Sequence, residues 1–205
     1  VRVLAEIPAR TAPSLRPGTL RRGDLDAFRR LLGGLGGARV VLVTGTGEGR
    51  RGAAVGLATA AVAGGRRAAL VECDLVEPWL ADALGLADAP GLDEYLRGTV
   101  KAEDVLKPVV LAGPGSSGAS EPLVCVVAGR PSAEGGPRLL ASAALSRALA
   151  GLRTAYELVV IAGPPLKDEY SLRALLALAD ATIACLPPSE PRDLPISVSG
   201  LVIQH

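Results

Sequence analysis

The sequence predicts an α/β domain: a doubly wound, mostly parallel sheet with helices on both faces. Three observations carry this. The runs 40–43 (VVLV), 68–71 (AALV), 158–161 (LVVI) and 181–186 (ATIACL) are almost entirely apolar, as strands covered on both faces must be. Stretches of helical periodicity separate them, which is the alternation of βαβ units and not of hairpins. The run 40–43 also enters a glycine-rich turn, Gly45-Thr46-Gly47-Glu48-Gly49, followed by an alanine-rich segment. Folds of this class bind ligands beyond the carboxyl ends of their strands, so that turn is the first place to look for chemistry.

In chain order, residues 1–8 (VRVLAEIP) read as a short strand ended by proline. Residues 9–23, with Pro13, Pro17, Gly18 and Gly23 among several arginines, read as a mobile connection. Asp24 is placed to cap a helix over 25–35, whose Leu25, Phe28, Leu31, Leu32 and Leu35 share one face. Gly33, Gly34, Gly36 and Gly37 stop it. After the strand 40–43, a helix over 53–63 ends at Gly64-Gly65, and the strand 68–71 runs into Glu72-Cys73-Asp74. Short helices follow at 78–84, 91–97 and 101–106, the last ended by Pro108. Residues 112–122 (AGPGSSGASEP) read as a flexible loop and 123–127 as a strand. A helix over 139–155 turns Leu139, Leu145, Leu149 and Leu152 inward. The strand 158–161 ends in Ala162-Gly163-Pro164-Pro165; a helix at 171–179, the strand 181–186 and a last strand at 201–203 complete the chain. There are no internal repeats, and the whole of 1–205 reads as a single domain.

Composition removes several classes of function. A net charge of +1 gives no global field for nucleic acid or an anionic membrane. Aromatic residues at 2% leave no stacking platform for bases, so no nucleic-acid partner is expected. Cys73, Cys125 and Cys185 each lie in apolar runs without metal-ligand spacing, and read as small buried hydrophobes in a reducing compartment. No apolar run reaches the roughly 18 residues of a membrane span, and no signal peptide is visible. The chain opens at Val1 and contains no methionine, so it is expected to be part of a longer chain, with a membrane segment ahead of Val1 left open. His205, at the very end, reads as a solvated terminus.

Strand, glycine turn and helix form the layout of a phosphate-binding P-loop, in which backbone N–H groups and a helix N-terminus face a polyphosphate. A working loop also needs a lysine for the β- and γ-phosphates and a Ser/Thr hydroxyl for Mg²⁺. Here Arg50, Arg51 and Gly52 stand where those should fall. The loop is therefore either a residual anion or nucleotide site, built from Gly47, Glu48, Gly49, Arg50, Arg51 and Gly52 with Glu72 and Asp74, or a turn that binds nothing. The missing ligands favour the second.

The order of motifs resembles the cytoplasmic domain of bacterial tyrosine kinases and polysaccharide chain-length regulators, in the ParA/MinD branch of P-loop ATPases. Val3-Leu4-Ala5-Glu6-Ile7-Pro8 resembles the opening strand and "IP" of that family. Asp26-Ala27-Phe28-Arg29-Arg30-Leu31 resembles its "EAFRRLR" helix, and Gly47-Glu48-Gly49 the "GEG" before the P-loop lysine. Leu70-Val71-Glu72-Cys73-Asp74-Leu75 resembles "LVDADL", and Pro90-Gly91-Leu92 with Leu96-Arg97-Gly98 resembles "PGL…L.G". Residues 156–165 (YELVVIAGPP) resemble "YDLVIIDTPP", and Leu178-Ala179-Asp180 its downstream "LAD". The resemblance spans nearly the whole chain.

It also implies where the family's chemistry has been lost. With Gly56 and Glu72 in register, Arg50 takes the place of the lysine, Arg51 that of the Mg²⁺-binding hydroxyl, and Ala162 that of the aspartate orienting Mg²⁺ and water. The stretch from Thr44 to Gly47 is about two residues shorter than the family's. Of the paired acids Asp74 remains, and Glu72 replaces the first on a longer arm. The family's self-association motif E-x-x-R-x-x-R reads Asp26, Arg29, Leu32, so a ring closed by that motif is not expected. The tyrosine-rich tail is missing, and Tyr95, Tyr156 and Tyr170 read as packing residues. Residues 187–200 are too short and proline-rich for the family's next helix. With no catalytic residues, no metal and no cofactor expected, and ATP/Mg only if the site is retained, Arg50 or Arg51 is expected to turn toward Glu72 or Asp74.

The resemblance thus implies a catalytically degenerate scaffold or regulator in capsule or exopolysaccharide biosynthesis. It would be cytoplasmic, tethered to the membrane by a segment outside this chain, and partnered by a polysaccharide-assembly component or its own N-terminal membrane region. The alternatives are a divergent active ATPase or tyrosine kinase, and a ParA/MinD-like positioning protein.

Overall fold

The computed structural model describes residues 3–7, 22–110, 121–130, 136–189, 194 and 196–204. The mobile connection expected at 9–23 lies outside them up to residue 21, as do His205 and nearly all of the 112–122 loop. One sheet contains β1 (Val3–Ile7), β2 (Val40–Gly45), β3 (Ala68–Glu72), β4 (Lys107–Val109), β5 (Leu123–Val126), β6 (Leu158–Pro165), β7 (Ala181–Leu186) and β8 (Gly200–Gln204). Their order across the sheet is β1-β8-β7-β2-β6-β3-β5-β4. Every pairing is parallel except β4 with β5. The doubly wound α/β class is therefore as the sequence predicts.

The helices are α1 (Arg22–Gly34), α2 (Gly49–Ala63), α3 (Leu80–Leu84), α4 (Leu92–Leu96), α5 (Ala102–Val105), α6 (Gly136–Leu140), α7 (Ala143–Ala155) and α8 (Glu169–Leu176). Because strand side chains alternate, Val41, Val43, Leu70 and Val160 pack with Phe28, Leu31 and Leu57 of α1 and α2 on one face. Val40, Leu42, Val159 and Ile161 pack with Leu145, Leu149, Leu172 and Leu175 of α7 and α8 on the other. The chain's single phenylalanine fixes the first layer. Phe28 is 3% exposed, and a Cβ on Gly56 would run into its ring, so α1 and α2 approach through a glycine. At the end of β2, Gly45 has φ +148°, and a Cβ there would strike the Cys185 carbonyl of β7.

Several boundaries differ from the sequence reading for identifiable reasons. α1 begins at Arg22, so Asp24 lies in its first turn and is not the cap, and Arg22 and Gly23 are helical instead of part of a connection. The helix expected over 139–155 is two helices, because the Ser142 side chain caps α7 by accepting from the Leu145 N–H at 3.3 Å. Leu139 and Leu152 are consequently only half-buried. The strand β4 was not predicted; a Lys-Pro-Val edge strand lacks the alternation that marks a strand. Tyr95 and Tyr156 pack against the core as expected, but Tyr170 is 60% exposed and does not.

Candidate functional site

β2, β3 and β6 deliver their carboxyl ends side by side, with Val43 and Glu72 both registered on Ala162. The glycine turn leaves β2 here. Gly47 adopts φ +61°, and α2 starts at Gly49 without a side-chain cap at Glu48. The Thr44 hydroxyl donates to the Pro164 carbonyl at 2.7 Å and is buried, so it offers nothing to a ligand.

Arg50, one residue into α2, turns back under the loop. Its Nη2 donates to Asp74 Oδ2 at 2.8 Å and its Nη1 to the Gly163 carbonyl at 3.3 Å. The side chains of the pair are 4% and 1% exposed. Asp74 Oδ1 accepts from the Glu77 N–H at 3.1 Å, so both carboxylate oxygens are engaged. Arg51 goes elsewhere. Its Nη1 lies 2.7 Å from Glu48 Oε1, its Nη2 lies 3.8 Å from Glu77 Oε2, and its guanidinium stands 5.7 Å from the centre of the Trp79 ring. Lys167 Nζ is 3.9 Å from Glu77 Oε1. Three cations around the loop, Arg50, Arg51 and Lys167, thus meet three acids, Asp74, Glu48 and Glu77. The remaining hollow, bordered by Gly47, Glu48, Arg51, Glu77 and Lys167, measures about 260 Å³. Small-molecule pockets run from roughly 300 to 1,000 Å³.

Glu72 is paired with no arginine. Fully buried, it accepts from the Trp79 and Leu80 N–H groups at 2.6 and 2.8 Å on one oxygen and from the Ala128 N–H at 2.8 Å on the other. Burial pushes its pKa up, the three N–H groups pull it down, and Asp74 adds to the rise; the balance is a raised value. Asp180, the "LAD" aspartate, is also structural. It accepts from the Arg39 and Val40 N–H groups at 2.9 Å each and from Arg153 Nη1 at 2.7 Å. Burial pushes its pKa up, and these donors outweigh it, leaving it lowered. The buried thiols are raised by desolvation, Cys125 and Cys185 to about 12, which makes them inert as nucleophiles.

Mg²⁺ with a nucleotide, the group this fold implies, does not fit this donor set. The Ala162 side chain supplies no oxygen and its carbonyl accepts from the Cys73 N–H, each oxygen of Glu72 and Asp74 already accepts a hydrogen bond, and Arg50 fills the floor of the loop. Among the described residues no cluster of three His, Cys, Asp or Glu could hold a metal. Gly49 and Gly52 belong to the first turn of α2; Glu48 and Arg51 pair with each other. Asp26 and Arg29 form an exposed pair at 3.1 Å within α1, while Leu32 is half-buried against the core where an arginine could not pack as well. The sequence reading missed Glu77, Trp79 and Lys167; the lone tryptophan five residues beyond Asp74 was the available signal.

No protein-family model matches the sequence, and comparison with curated proteins finds no match either. Solved structures do match. The BceF tyrosine kinase domain aligns with a TM-score of 0.79 at 20% identity over 100% of this chain and 93% of its own. The chimerical protein CapA2B2 gives 0.82 at 15% identity over 100% and 94%. The fold is that of the bacterial tyrosine-kinase domain. The VpsO kinase domain gives 0.68 at 25% identity over 82% and 84%, and the wider ParA/MinD P-loop ATPase fold is represented by the septum site-determining protein MinD of Pyrococcus horikoshii at 0.55 and 22% identity, over 74% of this chain and 58% of its own. Among the described residues no helix is long and apolar enough to cross a membrane.

Proposed function

We propose that this chain is a catalytically degenerate domain of the tyrosine-kinase fold that acts as a scaffold or regulator through protein contacts. The observation that carries the proposal is the buried Arg50–Asp74 pair at 2.8 Å beneath the glycine turn. Phosphoryl transfer depends almost wholly on positioning and on charge stabilisation around the metal. A nucleotide would have to displace Arg50, and breaking a buried pair costs about 3–5 kcal/mol. That corresponds to a loss of roughly two to three and a half orders of magnitude in affinity. A metal at Asp74 could offset part of this, but Ala162 offers it no second ligand.

By resemblance, the proposed setting is capsule or exopolysaccharide assembly, on the cytoplasmic side of a membrane. The partner would be a membrane component of that machinery or the chain's own membrane region. The test is enzymatic. The protein incubated with Mg·ATP should show neither hydrolysis nor tyrosine phosphorylation. The triple variant Arg50→Lys, Arg51→Ser, Gly52→Thr should stay inactive, because Ala162 and the short turn persist. Turnover by the unaltered protein that disappears in Arg50→Ala would overturn the proposal in favour of a divergent kinase or ATPase.

A further inference from the structure

The two arginines of the glycine turn differ in burial, and the difference points to a device. The segment from Asp74 to Trp79, between β3 and α3, has no helix or strand of its own. Its far end is fixed by Glu72, which accepts from the Trp79 N–H at 2.6 Å, and its side chains are held from three directions. Arg50 takes Asp74 in a pair whose members are 4% and 1% exposed. Arg51 takes Glu77 at 3.8 Å and covers the Trp79 ring at 5.7 Å, within the roughly 6 Å at which a guanidinium is attracted to an aromatic face. Lys167, from the turn after β6, reaches Glu77 at 3.9 Å. The acids that hold Arg51, Glu48 and Glu77, are 50% and 55% exposed. Salt and water therefore reach the Arg51 contacts but not the Arg50 pair. Beneath the Arg51 guanidinium lies the chain's only tryptophan, 5% exposed, with its indole N–H lacking a hydrogen-bond partner. Beside it Val76 is already 65% exposed.

We infer that Arg51 is the releasable half of a two-part latch. Arg50 anchors the 74–79 segment at its start, Glu72 fixes the Trp79 backbone at its end, and Arg51 closes the side-chain cover over the Trp79 ring. Release loosens residues 76–78 between these two fixed points and uncovers the Arg51-covered side of the Trp79 ring beside Val76, while the fold stays intact. The contacts at stake are one cation–π pair and partly exposed ion pairs, so their loss shifts a local open–closed equilibrium by about fivefold. The inference is independent of the proposed lack of catalysis, since it is read without nucleotide.

The single tryptophan makes the test direct. In Arg51→Ala, Trp79 emission should move to the red and acrylamide should quench it more strongly. The backbone amides of Val76 and Glu77 should exchange about fivefold faster, with circular dichroism unchanged. Raising NaCl should carry the wild type part of the way, and the Glu48→Gln, Glu77→Gln double variant should resemble Arg51→Ala even if the latter folds poorly. The Lys167→Ala variant should do much less, because Lys167 does not cover the ring. If emission, quenching and exchange in the double variant match wild type at all salt concentrations, the latch does not exist.

Discussion

The two acids at the end of β3 have opposite solutions to the same problem. Asp74 and Glu72 are separated by one residue and both lie under 2% exposed. Asp74 is neutralised by a cation, Arg50, with a single N–H on its other oxygen. Glu72 has no cation and three backbone N–H groups from two distant stretches, 79–80 and 128. The difference teaches how a fold can bury two neighbouring acids by two separate means. One acid is the partner of the arginine beneath the glycine turn. The other becomes a knot tying β3 to the start of α3 and the end of β5. Neither is left as an unpaired buried charge, which would cost several kcal/mol.

Removing one acid at a time should expose the contrast, and Asp74→Ala should have the largest effect. It leaves the Arg50 guanidinium buried with one carbonyl acceptor, at a cost of about 3–5 kcal/mol in urea unfolding. The double variant Arg50→Met, Asp74→Leu should recover most of that, since replacing both charges by apolar groups is often neutral or better. A double variant as unstable as the single would break the comparison.

Glu72→Gln should cost less, about 1–3 kcal/mol, because no charge is stranded and the amide can still accept at one oxygen while its NH2 opposes an N–H donor. The pH dependence separates the two acids further. Burial leads the rise in the Glu72 pKa above 4.5, so its contribution is full below that value and is lost as pH rises through the folded-state pKa. Glu72→Gln should therefore remove a downward slope of stability as pH rises above 4.5. A control of opposite sign lies at Asp180, where the N–H groups of Val40 and Arg39 and the Arg153 guanidinium outweigh burial and lower the pKa below 3.8. Its contribution is present above the unfolded value and lost as pH falls through the folded one. Asp180→Asn should cost about 1–2 kcal/mol at neutral pH and flatten the acid limb of a pH–stability curve.

The smallest global effect belongs to Arg51→Ala, below about 1 kcal/mol by urea unfolding, since its acids are half exposed. A loss as large as that of Asp74→Ala would mean that the two arginines act as one unit.

How much of this was legible follows from where each signal resides. The strands β2, β3, β6 and β7 announce themselves because burial on both faces demands unbroken apolar runs. An arginine at 50 or 51 meeting Glu72 or Asp74 is legible because both partners are side chains whose charges must be met, and the structure selects Arg50 and Asp74. The role of Glu72 was not, because its partners are backbone N–H groups, which no residue type encodes. The break before α7 was written in Ser142, a good cap, but the leucine spacing through 139–155 masked it. Edge strand β4 and the α1 start at Arg22 carry no periodic signal at all.

The central claim is that Arg50 has taken the place of the ligand. Its most direct test is calorimetric titration of the protein with Mg·ADP, in parallel with Arg50→Ala. The account predicts no binding heat at millimolar nucleotide for the unaltered protein. Saturable one-to-one binding by the unaltered protein, weakened in Arg50→Ala, would show that the arginine serves a phosphate instead of replacing it.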